Sequence, residues 1–482
     1  MAGGTVITKE EKRKLREEKE IARLEKEASR KGAAGYLYYL IFIICVVYIA
    51  DEVASQIGGQ MQSIIAQSLF APVFGAEMAV ARMSTLGLLS FAGLILSFLY
   101  KPLSDRYGRK PFLVINTLGM GLGLLIISVS TNIPVYIMGA ITISFFIPHD
   151  MQVVYILESV PAKRRATIYA IIKSVATLGV MLIPVLRGLV MGGDVSKWRN
   201  VYAVPGIIAA AVALFAALLV HETDPFIKRR LELLRMSDAE RAAAKKEKGA
   251  ENAQGSFVSA LKFCFGHKQL RWILIGSGFM SWGIAMTMYY ETTMTYGYAR
   301  PFLAQGVALS EALALAGPFV TQALFLYPIG SALFQFTQGF LADKWGRKPT
   351  TIVMSIFAVS SFVLCYYGAN HGWNPLLAGF FCGAAVGSYW AAGDLVSIVC
   401  AESTPTNLRA SVMSIMPLFS LLFYAIALAS ALISINVLGD AYTGIISLCI
   451  AVPGMLIGLT MLMLKVKETK NVDLEEITGR EE

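Results

Sequence analysis

Apolar runs of roughly 20 residues alternate with short polar loops along most of the chain, and that is the length a helix needs to cross a bilayer. Backbone groups in lipid must be paired within the protein, so each run is predicted to be a helix. The pattern predicts an all-α membrane protein with about twelve transmembrane helices, here called span one to span twelve. Their predicted starts lie near Gly35, Met83, Phe112, Ile133, Ala166, Val201, Leu270, Ala312, Thr351, Pro375, Ala410 and Tyr442.

The composition agrees with a membrane protein. The 482 residues are 56% hydrophobic and 16% charged, whereas a soluble domain is about a quarter charged. The charged residues, which sum to a net charge of +9, are clustered mostly at the two ends and in the middle of the chain. No base-reading motif accompanies these charges, so we expect no nucleic-acid partner.

The basic residues also predict how the spans are oriented. Loops rich in Lys and Arg follow spans two, four and eight, whereas loops 131–134 and 369–375 have almost none. By the positive-inside rule, the basic loops and both termini are predicted to be cytoplasmic, in a multi-pass protein of the plasma membrane. The basic loop residues are Lys101, Arg106, Arg109, Lys110, Lys163, Arg164, Arg165, Lys344, Arg347 and Lys348.

Two polar segments flank and divide the apolar chain. Residues 1–34 are charged throughout and lack the apolar core of a signal peptide, so we favour a solvated cytoplasmic tail over a helix lying on anionic lipid. Residues 221–268 are predicted to be a cytoplasmic linker. The linker separates two predicted six-helix bundles, at 35–220 and 269–466, and a short tail follows at 467–482.

Two motifs recur in the same order in both halves. "DRYGRKP" at 105–111 returns as "DKWGRKP" at 343–349, 238 residues later. The pattern D-x7-E-S-x-P-x3-R-A begins at Asp150 and again at Asp394, 244 residues later. Two independent motifs in register predict an internal duplication of six spans plus six spans, as many transporters have.

These motifs also carry a family resemblance. "PLSDRYGRKP" and "GFLADKWGRKP" resemble the loop signature of the major facilitator superfamily. "VYILESVPAKRRA" and the tail "KETKNVDLEEI" at 467–477 resemble signatures of its sugar-porter branch. The resemblance covers residues 35 to 477 and implies the major facilitator fold, in which two pseudo-symmetric six-helix bundles rock about a central cavity. It implies that spans one, four, seven and ten line this cavity.

Matched charges at the cytoplasmic ends of neighbouring spans form a candidate gate. Opposite charges there can make charge-assisted pairs that hold one conformation and break in the other. The alternative is that they only set topology and loop shape; we favour the gate because the carboxylates recur in both halves. The residues are Asp105, Gly108, Arg109, Glu158 and Arg165 in the first half and Asp343, Gly346, Arg347, Glu402 and Arg409 in the second.

Ionisable residues within the spans are candidates for a substrate and proton site, because they are costly in lipid. Asp150 and Asp394 occupy equivalent places, roughly 16 Å from the inner edge at 1.5 Å rise per residue. A carboxylate bonded to a neighbouring helix is the structural alternative. His149 is either a proton partner of Asp150 or a group that donates to a backbone carbonyl.

Span one carries Asp51 and Glu52 in succession, which point about 100° apart on a helix, so only one faces the cavity squarely. We favour Asp51 as the proton carrier, because Glu291 follows it by 240 residues. Arg187 in span five has three alternatives: it snorkels outward, pairs with an acid on span one, or binds a substrate carboxylate. Lys173 lies near the inner end of the same span, where its long side chain can snorkel to the cytoplasm.

The stretch "FMSWGIAMTMYY" at 279–290 departs from the sugar-porter pattern QQ-x-x-GIN-x-x-x-YY. Phe279 and Met280 replace the two glutamines, and Ala285 replaces the asparagine, so the amides that bind sugar hydroxyls are missing. A simple hexose is therefore not the expected substrate. The aromatic residues Tyr289, Tyr290, Tyr389 and Trp390 either contact an amphipathic substrate or pack between helices.

The sequence thus predicts a proton-coupled secondary transporter that imports a small organic metabolite, and not an enzyme. Its expected partners are the substrate, protons and the bilayer; we expect a monomer without metal or other cofactor. One alternative is a proton-driven efflux antiporter, although "LIPVLRGLV" at 182–190 departs from the antiporter pattern G-P-x-x-G-G. A second alternative is a nutrient sensor that binds without transport.

Overall fold

The computed structural model describes residues 9–29, 36–100, 103–146, 155, 158, 165–192, 194–237, 240, 257–404 and 406–470. Within these ranges all regular structure is helical. Ten helices of the described chain are long and apolar enough to cross a membrane, and two shorter apolar helices cover Gln62–Phe74 and Ile133–Phe146. The all-α prediction is confirmed.

The first half contains spans one to six. Span one is Tyr36–Gln60, extended by Gln62–Ile65, a π-helical turn at Ala66–Phe70, and Ala71–Phe74; span two is Ala79–Gly87, Leu88–Ser90 and Phe91–Tyr100. A short helix, Ser104–Tyr107, leads into span three at Arg109–Ser128, and span four begins as Ile133–Phe146. Span five is Arg165–Gly179, Leu182–Leu186 and a second π-helical turn at Arg187–Met191, and span six is Val195–Lys197 and Trp198–Leu219.

The second half contains spans seven to twelve, after a short helix at Phe257–Gly266. Span seven is broken into Lys268–Met280, Ser281–Gly283, Ile284–Met288 and Tyr290–Ala304. The remaining spans are Leu309–Trp345, Arg347–Asn370, Pro375–Glu402, Thr406–Leu438 and Thr443–Lys465, with a 3-10 turn at Asp440–Tyr442 before the last. Each span therefore begins within a few residues of its predicted start.

Spans eight and ten pack with their backbones in close contact. A Cβ atom at Gly383 would lie 1.9 Å from the carbonyl oxygen of Tyr327, and one at Gly379 would lie 1.7 Å from that of Ala323. Neither distance is tolerable, so these two positions require glycine. The close packing holds two walls of the central cavity at a defined separation.

Hydrogen bonds join the two halves at one end of the bundle. We call the end of the bundle that carries Arg109 and Arg347 the loop end, and the other end the opposite end. The hydrogen bonds that join the halves lie at the opposite end. The Asp440 carboxylate accepts hydrogen bonds from the backbone N–H groups of Val80 (2.7 Å) and Ala81 (2.8 Å) at the start of span two. Each donor belongs to the first half and the carboxylate to the second, so the bonds hold the opposite end together.

The two polar segments form helices that pack on each other. Residues Lys9–Ser29 and Asp224–Arg235 are helical, and Leu24 is buried with Ile227 and Leu234 between them. An ion pair joins Arg230 to Glu20 at 2.7 Å. The segment 9–29 is thus a largely exposed helix whose narrow apolar stripe packs on the linker.

Candidate functional site

A cavity of about 240 Å³ lies between the two halves near the middle of the bundle. Spans one, five, eight and ten form its walls in the described part of the chain, whereas the resemblance implied spans one, four, seven and ten. Much of span four after Phe146 lies outside the described residues. The lining residues are Glu52, Ser55, Gln56, Lys173, Thr177, Val180, Tyr327, Pro328, Ser331, Gln335, Val386, Trp390 and Asp394.

Three lining residues of this central cavity are charged: Glu52, Lys173 and Asp394. Two carboxylates and one ammonium group therefore face the same space from both halves. Asp394 accepts a hydrogen bond from Gln338 Nε2 at 3.4 Å. All three charged side chains are half-buried, so they are accessible to a polar ligand and partly shielded from water. Such groups can bind a polar solute and exchange a proton.

The structure reverses the expected orientation of the two acids in span one. Asp51 is completely buried outside the central cavity, whereas Glu52 lines it. The cause is the rotation of the helix, since successive side chains point about 100° apart.

Arg187 and Glu291 form a buried ion pair across the two halves near the opposite end. Their side chains are 1% and 0% exposed, and Arg187 Nη1 lies 3.4 Å from Glu291 Oε1. Arg187 also donates to the carbonyl oxygen of Gln60, and Glu291 Oε2 accepts from the backbone N–H of Ser63 at 2.9 Å. Arg187 therefore pairs with span seven and not with an acid on span one. The partner charge and the extra hydrogen bonds compensate part of the cost of burying both ions.

The four aromatic candidates divide between the cavity wall and the core. Tyr290 stacks on the cavity-lining Tyr327 with ring centroids 4.9 Å apart and planes inclined by 6°. Trp390 lines the cavity, and the Tyr389 hydroxyl donates to the carbonyl oxygen of Ser281 at 3.3 Å. Tyr289 is completely buried in the hydrophobic core.

The duplicated loops have the same local geometry in both halves. Gly108 and Gly346 have φ of +111° and +105°, which only glycine adopts without strain. The next residue is an arginine that pairs with the carboxylate at the end of span four or span ten. Arg109 lies 3.2 Å from Glu158, and Arg347 lies 3.2 Å from Glu402.

Arg347 also pairs with Asp343 at 2.8 Å.

Some of the site and gate residues predicted from the sequence lie beyond what the structure describes. His149 and Asp150 lie outside the described residues, as do the side chains of Asp105, Arg165 and Arg409.

Two further carboxylates hold these loops, and neither is among the site residues predicted from the sequence. Glu222 accepts hydrogen bonds from the backbone N–H groups of Arg109 (2.9 Å) and Lys110 (3.1 Å). Glu468 accepts the equivalent bonds from Arg347 (2.9 Å) and Lys348 (3.0 Å). We call Glu222 and Glu468, with the loop that each holds, the two loop clasps.

The threonine after each clasp carboxylate extends the network. Thr223 Oγ1 donates to Glu158 at 2.6 Å, and Thr469 Oγ1 donates to Glu402 at 2.5 Å. In the sequence, the two clasps are marked by a Glu-Thr pair directly after span six and by another directly after span twelve, 246 residues later. This is a third duplicated motif, which is too short to be recognised without the structure.

The two clasp carboxylates differ in their electrostatics. Burial raises the pKa of Glu222, and this outweighs the backbone hydrogen bonds that favour its charged form. Burial also acts to raise the pKa of Glu468, but four backbone N–H donors together lower it below the usual value. The clasp of the second half is therefore the more firmly ionised of the two.

A family model describes almost the whole chain. The model of the Major Facilitator Superfamily matches residues 40–325 and 301–479. The chain belongs to the major facilitator superfamily. The family model, together with the relatives and solved structures described below, confirms the resemblance to the sugar-porter-like branch that the loop and tail motifs indicated.

Individual relatives are distant. The chain is 22% identical to sugar transport protein 8 of Arabidopsis thaliana over 56% of its own length and 53% of that protein. It is 20% identical to the uncharacterized MFS-type transporter YfiU of Bacillus subtilis, covering 63% of each chain. The first of these matches spans about half of the relative, and the second somewhat less than two thirds.

Solved structures confirm the fold over nearly the full length. The inward open conformation of the xylose transporter XylE from E. coli superposes with a TM-score of 0.62 at 17% identity, covering 92% of this chain and 99% of that one. A bacterial homolog to the human lysosomal transporter Spinster superposes with a TM-score of 0.55 at 15% identity, covering 90% and 96%. At these identities the likeness concerns the fold alone.

Proposed function

We propose that the protein is a proton-coupled secondary transporter that takes up a small polar organic metabolite by alternating access. The observation that carries this proposal is the central cavity between the halves, into which Glu52, Lys173 and Asp394 project. A site shared by two rocking bundles can open to either side of the membrane in turn. The substrate passes unchanged, so the proposal includes no catalytic step.

The mixed charge of the cavity supports a substrate with several polar groups. Lys173 can pair with an anionic group or donate hydrogen bonds, and the carboxylates of Glu52 and Asp394 accept them. Ser331 and Gln335 add neutral donors and acceptors to the same wall. Because the sugar-porter amides of span seven are replaced, we propose that the substrate is not a simple hexose and is recognised through spans one, five, eight and ten.

Glu52 is our proposed proton carrier. It faces the cavity from span one, where a substrate and a proton can reach the same side chain. Protonation of Glu52 would leave Lys173 and Asp394 as a balanced pair of charges, so the protonated cavity is electrically neutral. A neutral cavity costs less to close off from water than a charged one does.

The structure has the arrangement expected of a state closed at the opposite end. Buried hydrogen bonds join the halves there, through Asp440 and through Glu291. We propose that the loop end faces the cytoplasm, as its basic residues indicate, and that the described state is therefore inward-facing.

The proposal is tested with the full-length protein in proteoliposomes. A thermal-shift screen of sugars, polyols, amino acids and carboxylic acids identifies a ligand, whose uptake is then measured with and without a pH gradient. Glu52→Gln should lose gradient-driven accumulation but keep exchange of labelled for unlabelled substrate, because exchange moves no net proton. If Asp51→Asn loses coupling while Glu52→Gln keeps it, the proton carrier is Asp51. Binding without flux would identify a sensor and refute the transport proposal.

A further inference from the structure

A second and larger cavity, of about 510 Å³, lies nearer the opposite end and shares no lining residue with the central cavity. It lies between spans five and eight, with span one and span seven behind it. Its walls include the apolar side chains of Ile64, Met191, Leu313 and Phe325. We call it the lateral cavity. Its volume is in the range of sites that hold small organic ligands.

The lateral cavity opens sideways between two spans. Pro318 and Gln322 line it and are exposed, and the neighbouring Leu189 and Phe319 present apolar side chains to the outside of the bundle, with 79% and 39% of their surface exposed. A surface of this kind on a membrane-spanning bundle faces hydrocarbon. The cavity is therefore reached from the bilayer.

The inner wall of the lateral cavity carries two buried polar atoms that are not satisfied within the described part of the chain. Arg187 is 2% exposed, and its Nε makes no hydrogen bond there; the same is true of Gln67 Oε1. Leaving a buried donor or acceptor unpaired costs about 1–3 kcal/mol for each group. One donor and one acceptor thus lie at the wall of a cavity whose lining surface is mostly apolar, although Glu291, Thr295 and Gln322 also line it.

These two residues lie in the π-helical turns of the described chain. The turn Ala66–Phe70 carries Gln67, and the turn Arg187–Met191 carries Arg187. A π-helical turn is rare and is frequently found at a functional site. Two such turns that supply the walls of one cavity are a second indication, independent of the unpaired atoms, that the cavity binds a ligand.

We propose that the lateral cavity binds a single-chain amphiphile of the bilayer, with its acyl chain between spans five and eight and a small hydroxyl-bearing head group at the inner wall. A head group with hydroxyls offers an acceptor for Arg187 Nε and a donor for Gln67 Oε1. The charge of Arg187 is already balanced by Glu291. A permanently charged phosphate would add an uncompensated charge, so the site selects a neutral head group.

The test uses a monoacylglycerol that carries a diazirine in its acyl chain as the probe, with the purified full-length protein in nanodiscs. After photolysis, peptides from 187–195 and 310–325 should carry the label. Gly317→Leu fills the cavity, because a Cβ at Gly317 meets no atom within 4 Å. The matched control is Gly339→Leu on the same span, where a Cβ also meets no atom within 4 Å and which does not line the cavity.

We expect Gly317→Leu to lose the label and Gly339→Leu to keep it, with equal thermal unfolding midpoints for both variants. Equal labelling of the two variants, or labelling spread evenly over the outer surface of the bundle, would overturn the site. Unlabelled monoacylglycerol should compete for labelling, and a lysophosphatidic acid of the same chain length, whose head group carries a net negative charge, should compete less. Equal competition by the two would overturn the assigned head group.

Discussion

Asp440 is expected to hold the opposite end closed, and its removal should open that end. It is completely buried and belongs to the second half, yet both of its carboxylate oxygens accept from span two of the first half, through the N–H groups of Val80 and Ala81. These donors are among the first N–H groups of a helix, which have no partner within that helix. Asp440 therefore satisfies the start of span two from across the interface.

The magnitude follows from the two bonds. A hydrogen bond to a charged group contributes about 1.5–3 kcal/mol, so losing both costs about 3–6 kcal/mol in the closed state. If the bonds are absent when the opposite end is open, Asp440→Ala shifts the ratio of closed to open molecules by about 10²- to 10⁴-fold. Asp440→Asn keeps one acceptor oxygen and should have an intermediate effect.

Distances between spin labels report this shift. Thr131 and Gln305 are exposed at the opposite end, one in each half, and both are replaced by cysteine in a protein whose exposed Cys449 is changed to Ser. Asp440→Ala should move the distance distribution between the labels to longer values. The matched control is Asp194→Ala, because Asp194 caps a turn of its own half, accepting from Ser196 at 3.0 Å. An unchanged distribution for Asp440→Ala, or an equal change for Asp194→Ala, would refute the reasoning.

Two further predictions concern stability. Glu291→Gln leaves Arg187 buried without its counter-charge, so the free energy of unfolding should fall by about 3–5 kcal/mol. A double variant that also carries Arg187→Met should regain part of this loss in a thermal unfolding measurement. An unchanged unfolding midpoint for Glu291→Gln alone would contradict the prediction. The pKa of Glu468 is lower in the folded protein than the ordinary value of 4.5, so its ionised form stabilises the fold above that pH, and the contribution is lost as the pH falls through the folded pKa. Glu468→Gln should therefore make the unfolding midpoint less sensitive to pH in the acid range, and a variant whose midpoint follows the wild-type pH profile would speak against the loop clasp.

The fold was predictable from the sequence because a bilayer limits what an apolar run can be. Apolar runs long enough to cross a bilayer had to be helices, because backbone groups in lipid must be paired within the segment. The start predicted for span ten at Pro375, for example, coincides with its observed start. The matched loops around Gly108 and Gly346 predicted two related halves, and their φ values agree closely. These features depend on local sequence, which is why they were visible without the structure.

The candidate site was less predictable because it depends on helix rotation and on contacts between distant segments. Periodicity showed that Asp51 and Glu52 face different ways, but not which of them faces the cavity. The pairing of Arg187 with Glu291 joins residues 104 apart in sequence and in different halves. No pattern within a single helix indicates such a contact. The π-helical turn at Arg187 is likewise invisible in an ordinary apolar run.

The placement of the charged pairs changes how the predicted gate would have to work. Arg109 pairs with Glu158 of its own half, and Arg347 pairs with Glu402 of its own half. Such pairs cannot hold the two halves together, so in the described state they stiffen each bundle and fix the shape of its loop. The buried carboxylates at the opposite end, by contrast, bridge the halves. The two ends are therefore controlled by different chemistry. In the proposed transport cycle, the opposite end exposes buried carboxylates to water when it opens, whereas the ion pairs and clasps of the loop end lie within one half each and can stay intact throughout.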